Sequence, residues 1–287
     1  MPGPPYLLLF EILAYIQFAL CLAHALRRGT PSLVRIAFAA VFGIFLELVL
    51  LREPGTFKYG SFFLMIGDVP LCVGLAWGSV LYALIESSEA SNLPRWQRPL
   101  LDGLLALNVA LALDPMATRL GLWDWGLQPH AQFFGVPYAY LLAWFAAVTA
   151  FSSVFRMPSH PRAGFGVWLA GPLAALTGLI ALIVVNAFMI FVVPSYYRAL
   201  LALLVVACDA IYIISLQPRL DQGNVTTLVL WIPLLTLLYT LISGSISGGI
   251  FVPPGTVVVV VAMVAVLLAL HWPKIRRAFA RKPDFAG

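Results

Sequence analysis

Residues 226–272 read TTLVLWIPLLTLLYTLISGSISGGIFVPPGTVVVVVAMVAVLLALHW, two apolar runs around a centre of Gly, Ser and Pro. That centre is either a loop or a broken helix buried in protein, and the choice sets the number of membrane crossings at nine or eight. A bilayer core about 30 Å thick needs roughly 20 apolar residues of helix. Apolar runs of that order lie at approximately 6–26, 32–51, 61–86, 99–118, 132–155, 165–193, 196–216, 226–243 and 253–272. The basic residues favour the loop. With nine spans one face receives Arg27, Arg28, Arg35, Arg95, Arg98, Arg156, Arg162, Arg219 and five C-terminal bases, thirteen in all, and the other receives four (Arg52, Lys58, Arg119, Arg198). Joining the last two runs leaves eight against nine and removes the asymmetry that orients membrane helices. The sequence therefore predicts an all-α polytopic transmembrane bundle of about nine spans, with the N-terminus outside and the C-terminus cytoplasmic.

Composition supports the same reading. Of 287 residues, 62% are hydrophobic and only 10% charged, with a mean hydropathy of +0.96. Soluble domains carry about 25% charged residues, so a soluble enzyme, a disordered chain and a secreted disulfide scaffold are all excluded. Cys21, Cys72 and Cys208 are far apart in apolar runs and form no CxxC pair. The net charge of +5 does not describe a nucleic-acid surface. Lys274, Arg276, Arg277, Arg281 and Lys282 crowd a basic tail, 273–287, directly after an apolar run, where they face anionic lipid. Met1 to Pro5 lack the basic start of a signal peptide, so the first run is read as a retained span. No connector exceeds about a dozen polar residues, and residues 1–287 are read as one integral-membrane domain. The bacterial cytoplasmic membrane is the expected location.

Ionisable groups inside spans are costly and mark functional sites. On the nine-span topology, Glu11, Glu47, Asp68 and Asp114, from four successive helices, share the outer third of the membrane. The same layer holds Tyr59, the loop residues Trp123, Asp124 and Trp125, and Asn186 near the end of the sixth span. Glu11 also reads simply as a carboxyl snorkelling to the headgroups, and Asp124 as a solvated loop acid. Asp68, within MIGDVPL, and Glu47, within FLELVLL, are harder to explain in that way.

A carboxyl held away from water favours its neutral form and can donate a proton. Surrounded by aromatic faces, which stabilise positive charge, such an acid suits protonation of a carbon–carbon double bond. A substrate reached from lipid would be an isoprenoid-like polyene, and a second carboxylate would act as the base. Water quenching the cation gives hydration; proton loss gives isomerisation or cyclisation. There is no DDxxD, no HExxH and no histidine cluster, so neither a metal nor an organic cofactor is expected.

Glu47, Pro54, Gly55 and Tyr59, then Pro70, Leu71, Trp77 and Tyr82, then Asp114-Pro115 and Trp123-x-Trp125, resemble the carotenoid biosynthesis membrane proteins. That family includes the γ-carotene and bisanhydrobacterioruberin hydratases. Its FGVPxxNxxGW segment is matched here by FGVPYAYLLAW, Phe134 to Trp144, with Tyr140 at the Asn position and Ala143 at the Gly. The resemblance spans about residues 40–145. The membrane-embedded heterodimeric lycopene cyclases have a similar layout, but Tyr138 and Ala139 stand where their paired glutamates follow the proline.

The resemblance implies a hydratase acting on a terminal double bond of an acyclic or monocyclic carotenoid. Either Asp68 or Asp114 would donate the proton, with Glu47 as partner or base. Tyr59, Trp77, Trp123, Asp124, Trp125, Phe134, Tyr140, Trp144 and Asn186 would shape the substrate pocket. Two rivals remain: a terpenoid cyclase or isomerase using the same acid, and a lipid or small-molecule transporter. A transporter favours an inverted repeat with paired broken helices, and no such pair is visible around Pro70, Pro172 and Pro233.

Overall fold

A computed structural model describes residues 5–52, 57–157, 164–220 and 227–280. Pro54, Gly55, Arg162, Arg281 and Lys282, used above, lie outside the described residues. Nine helices among those described are long and apolar enough to cross a membrane. They are α1 (Pro5–Arg28), α2 (Thr30–Leu50), α3 (Leu71–Glu89), α4 (Arg98–Leu120), α5 (Tyr138–Phe155), α6 (Gly164–Ala187), α7 (Ser195–Ser215), α8 (Leu228–Ile246) and α9 (Gly255–Ala280). The all-α polytopic bundle is thus the observed architecture. Within the Gly/Ser/Pro centre, residues 247–254 are a loop with one 3-10 turn, Gly249–Phe251, so the two flanking runs are separate helices.

Packing follows residue size. α4 touches α3, α5, α7, α8 and α9 and is the central post of the bundle. α2 lies against α3 along small residues: a Cβ on Gly74 would meet Ile44 and one on Gly78 would meet Ala40. At Gly43 the approach is closer still, because a Cβ there would fall 2.3 Å from that of Trp77. Small residues let helix backbones approach in lipid, where dispersion rather than water drives association. α7 buries little beyond Ala202 and Ile213 and presents an apolar surface outward.

The end of the bundle where α1 begins, called here the site end, is closed by short extended segments. Strand β1 (Lys58–Tyr59) pairs antiparallel with β4 (Trp123–Asp124), and β2 (Met65–Ile66) pairs with β3 (Val69–Pro70). The second pair corrects an expectation. Residues 65–70 are a hairpin turning at Gly67-Asp68, and the third span starts only at Leu71. Gly67 has φ +59°, the left-handed region a tight hairpin turn demands and glycine adopts without strain. Similarly, the fifth span starts at Tyr138 rather than near residue 132, behind the Phe133–Val136 bridge and Pro137.

Candidate active site

The alternation of β1 and β4 builds the site. Side chains two apart on a strand share a face, so Phe57 and Tyr59 turn one way and Trp123 and Trp125 turn with them. Lys58 and Asp124, paired in register, take the other face. Four aromatic rings are thereby set over the mouths of α2, α3, α4 and α5.

Below them is a narrow cavity with about 60 Å³ of open space, walled almost entirely by apolar and aromatic side chains. Phe57, Tyr59, Trp123 and Trp125 cap it, Trp77, Tyr140 and Trp144 line its sides, and Gln17 and Thr236 lie at its deep end. Gln17 is twelve residues into α1 and Ala106, also in the wall, fourteen before the end of α4, so the cavity runs roughly 20 Å down the bundle. Gln17 Nε2 donates to Thr236 Oγ1 at 3.1 Å and to the Ile232 carbonyl at 3.0 Å, which ties α1 to α8 there.

The aromatic wall is a closed circuit. Ring centroids are 5.1 Å apart from Tyr59 to Phe57, 4.4 Å from Phe57 to Trp125 and 4.2 Å from Trp125 to Tyr140. They continue at 4.8 Å from Tyr140 to Trp144 and 4.5 Å from Trp144 to Trp77. Glu47 completes the loop. Its Oε1 accepts from Trp77 Nε1 at 2.8 Å and its Oε2 from Tyr59 Oη at 2.6 Å. An indole N–H can only donate, so Oε1 must accept, and the carboxyl is fixed in one orientation. Tyr59 remains a donor: burial first, and then the neighbouring Glu47, push its phenol well above the usual tyrosine value.

Asp114 is placed differently. It follows Ala110 of the cavity wall by four residues, one helical turn, and so lies on that side of α4, although it is not itself part of the wall. The residue is fully buried, and neither Oδ1 nor Oδ2 meets a hydrogen-bond partner among the described residues. A buried polar group without a partner is expensive, so one enclosed just behind the cavity wall asks for a functional reason.

The structure thus gathers Glu47, Tyr59, Trp77, Trp123, Trp125, Tyr140 and Trp144 around one cavity with Asp114 at its edge, and leaves four expected residues elsewhere. Asp68 is exposed in the β2–β3 turn, facing a surface cleft beside Arg52 and Lys58. It stands outside the third span because Gly67 breaks the apolar run into a hairpin. Asp124 points away from the cavity by strand alternation, and its Oδ1 accepts from the Gly126 N–H at 2.8 Å, shaping the turn. Phe134, at φ +50°, packs over Gly255 at the start of α9. Asn186 is buried near the end of α6, outside the cavity wall. Glu11 neither snorkels nor joins the site. It accepts from Tyr15 Oη at 2.6 Å and from the Phe63 and Leu64 N–H groups at 3.1 and 3.2 Å, and so anchors the hairpin to α1.

Phe57, Phe10, Gln17 and Thr236 belong to the cavity and were not anticipated. A signal for Phe57 was present. FKY at 57–59 and WDW at 123–125 are both aromatic–charged–aromatic, the pattern of two facing strands. No group of three or more His, Cys, Asp or Glu is placed to hold a metal ion among the described residues.

Compared with known proteins, residues 4–208 match the family model described as carotenoid biosynthesis protein. No curated protein and no solved structure matches the chain.

Proposed function

The chain belongs to the carotenoid biosynthesis protein family, and from that premise we propose that it is a cofactor-independent, membrane-embedded hydratase of a hydrophobic polyene. The observation that carries the reading is the contrast between Glu47, on the wall of the aromatic cavity, and Asp114, enclosed just behind that wall on α4. Glu47 is held by two donors, whereas Asp114 has none. Donors stabilise a carboxylate, and their absence leaves the neutral acid as the better-tolerated form.

In this reading the terminal double bond of the polyene lies beside Asp114. The Asp114 O–H proton adds to the less substituted carbon, and the π pair becomes the new C–H bond. The resulting tertiary cation lies among the faces of Trp77, Trp125, Tyr140 and Trp144, whose quadrupoles stabilise it as substitutes for a polar solvent. Water then attacks the cation, and Glu47 takes the proton that the new C–OH2 group releases. Transfer of that proton back to Asp114 restores both carboxyls, and one water is consumed for each double bond saturated. Tyr140, where the family carries Asn, has its hydroxyl inside the wall and is assigned to orienting the water.

The test is product mass. Purified protein given an acyclic carotenoid should yield a product heavier by one water. A product of unchanged mass but altered chromophore would assign cyclisation or isomerisation to the same acid. Recovery of the starting polyene alone, from folded protein, would overturn the enzymatic reading.

A further inference from the structure

The end of the bundle opposite the site has a second polar centre, built by the start of α2, the connector from α3 to α4, and the end of α5. Arg35 lies between two acids, with Nη1 2.5 Å from Glu86 Oε1 and Nη2 2.7 Å from Glu89 Oε1. Arg156 is 5% exposed and its Nη1 lies 2.6 Å from Asp102 Oδ2, while Nη2 donates to Ser88 Oγ at 2.6 Å. These two guanidinium groups are neutralised by carboxylates. Their neighbours are not. Arg98 donates only to the Leu93 and Ser91 carbonyls, and Arg95 only to the Arg156 carbonyl, among the described residues.

All four arginines face one cavity of about 420 Å³, together with Glu89 and the Phe155 ring. With Glu86, Glu89 and Asp102 paired to Arg35 and Arg156, Arg95 and Arg98 bring the cluster to four guanidinium groups against three carboxylates, a positive excess. The buried Nε atoms of Arg35 and Arg156 also lack hydrogen-bond partners among the described residues. Planar guanidinium forks match the oxygens of a phosphate better than those of any neutral group.

We propose that this cavity is a binding site for a phosphate group. Its place at the ends of spanning helices, with Phe155 and Ala170 on its wall, suits the headgroup of an anionic phospholipid; a free phosphate offers the same chemistry. The site is independent of the catalytic reading, since none of its residues touches the aromatic cavity.

The experiment uses the full-length chain in a non-ionic detergent and measures binding of phosphatidylglycerol, and separately of inorganic phosphate, by native mass spectrometry. Arg35 and Arg156 are left intact, because their loss would strand the buried Glu86 and Asp102. The test variant is R95Q/R98Q, and the charge-matched control is R27Q/R276Q, whose exposed arginines lie outside the cavity. R95Q/R98Q should weaken binding of at least one probe by about tenfold or more, while the control stays within about twofold of the wild type. A response to the lipid alone identifies a headgroup site; a response to inorganic phosphate as well identifies a site for the free anion. The proposal fails if the wild type binds neither probe, if R95Q/R98Q binds as the wild type does, or if the control loses as much as the test variant.

Discussion

Asp114 and Asp68 are both aspartates that the sequence places at similar depth, and the structure separates them. Asp114 is enclosed on the inner face of α4, and Asp68 stands in the open at a hairpin turn. Their substitutions should therefore diverge. Asp114→Asn removes the acid while keeping shape, and turnover should fall by about a hundredfold to ten-thousandfold, the usual worth of a general acid. Its thermal midpoint should be unchanged or higher, because the buried group had no partner to lose. Asp68→Asn should leave turnover unchanged. Parallel product assays and thermal melts of the two variants check both statements. Legibility divided along the same line. Glu47 could be placed by counting membrane depth along its helix, whereas Trp77, Tyr140 and Trp144 came from the family resemblance. Asp68 was misread because FLMIGDVPL is equally apolar as a span and as a hairpin, and only Gly67 betrays the turn.

At the scale of elements, the α2–α3 contact sets the geometry of Glu47. Gly43 leaves room for Trp77, whose indole donates to the carboxyl one helical turn further along α2. A Gly43→Ala substitution puts a methyl group into the indole stem and should destabilise the protein by about 1–3 kcal/mol, as overpacking does. Activity should fall further than stability alone explains, because Trp77 must move off Glu47. Thermal melting with tryptophan emission, read beside the product assay, separates the two effects. The β2–β3 hairpin depends on Glu11 in the same way. Charge-assisted hydrogen bonds of this kind are worth about 1.5–3 kcal/mol each. Glu11→Ala should therefore raise hydrogen exchange at Phe63 and Leu64 by about tenfold or more, with the helices unaffected. The nine helices were legible from run length together with the placing of the basic residues, whereas two-residue strands such as β1 and β4 have too little sequence to show a period.

Over the whole molecule, polarity is divided between two ends. The aromatic cavity with its carboxyls occupies one, and the arginine cluster the other. If that division follows the positive-inside rule, the active cavity opens near the outer leaflet and the arginines face the cytoplasm. Cysteines introduced at the exposed positions Lys58 and Arg27, in a background lacking Cys208, test it with a membrane-impermeant thiol reagent. Lys58→Cys should label in intact cells and Arg27→Cys only after permeabilisation; the reverse pattern would invert the topology. Orientation, unlike span number, is a property of the membrane as well as of the chain, so charge counting was the one guide to it. The account as a whole turns on a proton passing from the protein to carbon. Turnover of the polyene in heavy water addresses that step directly. The predicted product has one deuterium bound to carbon next to the new hydroxyl-bearing carbon, in every molecule formed. Product without carbon-bound deuterium would contradict it.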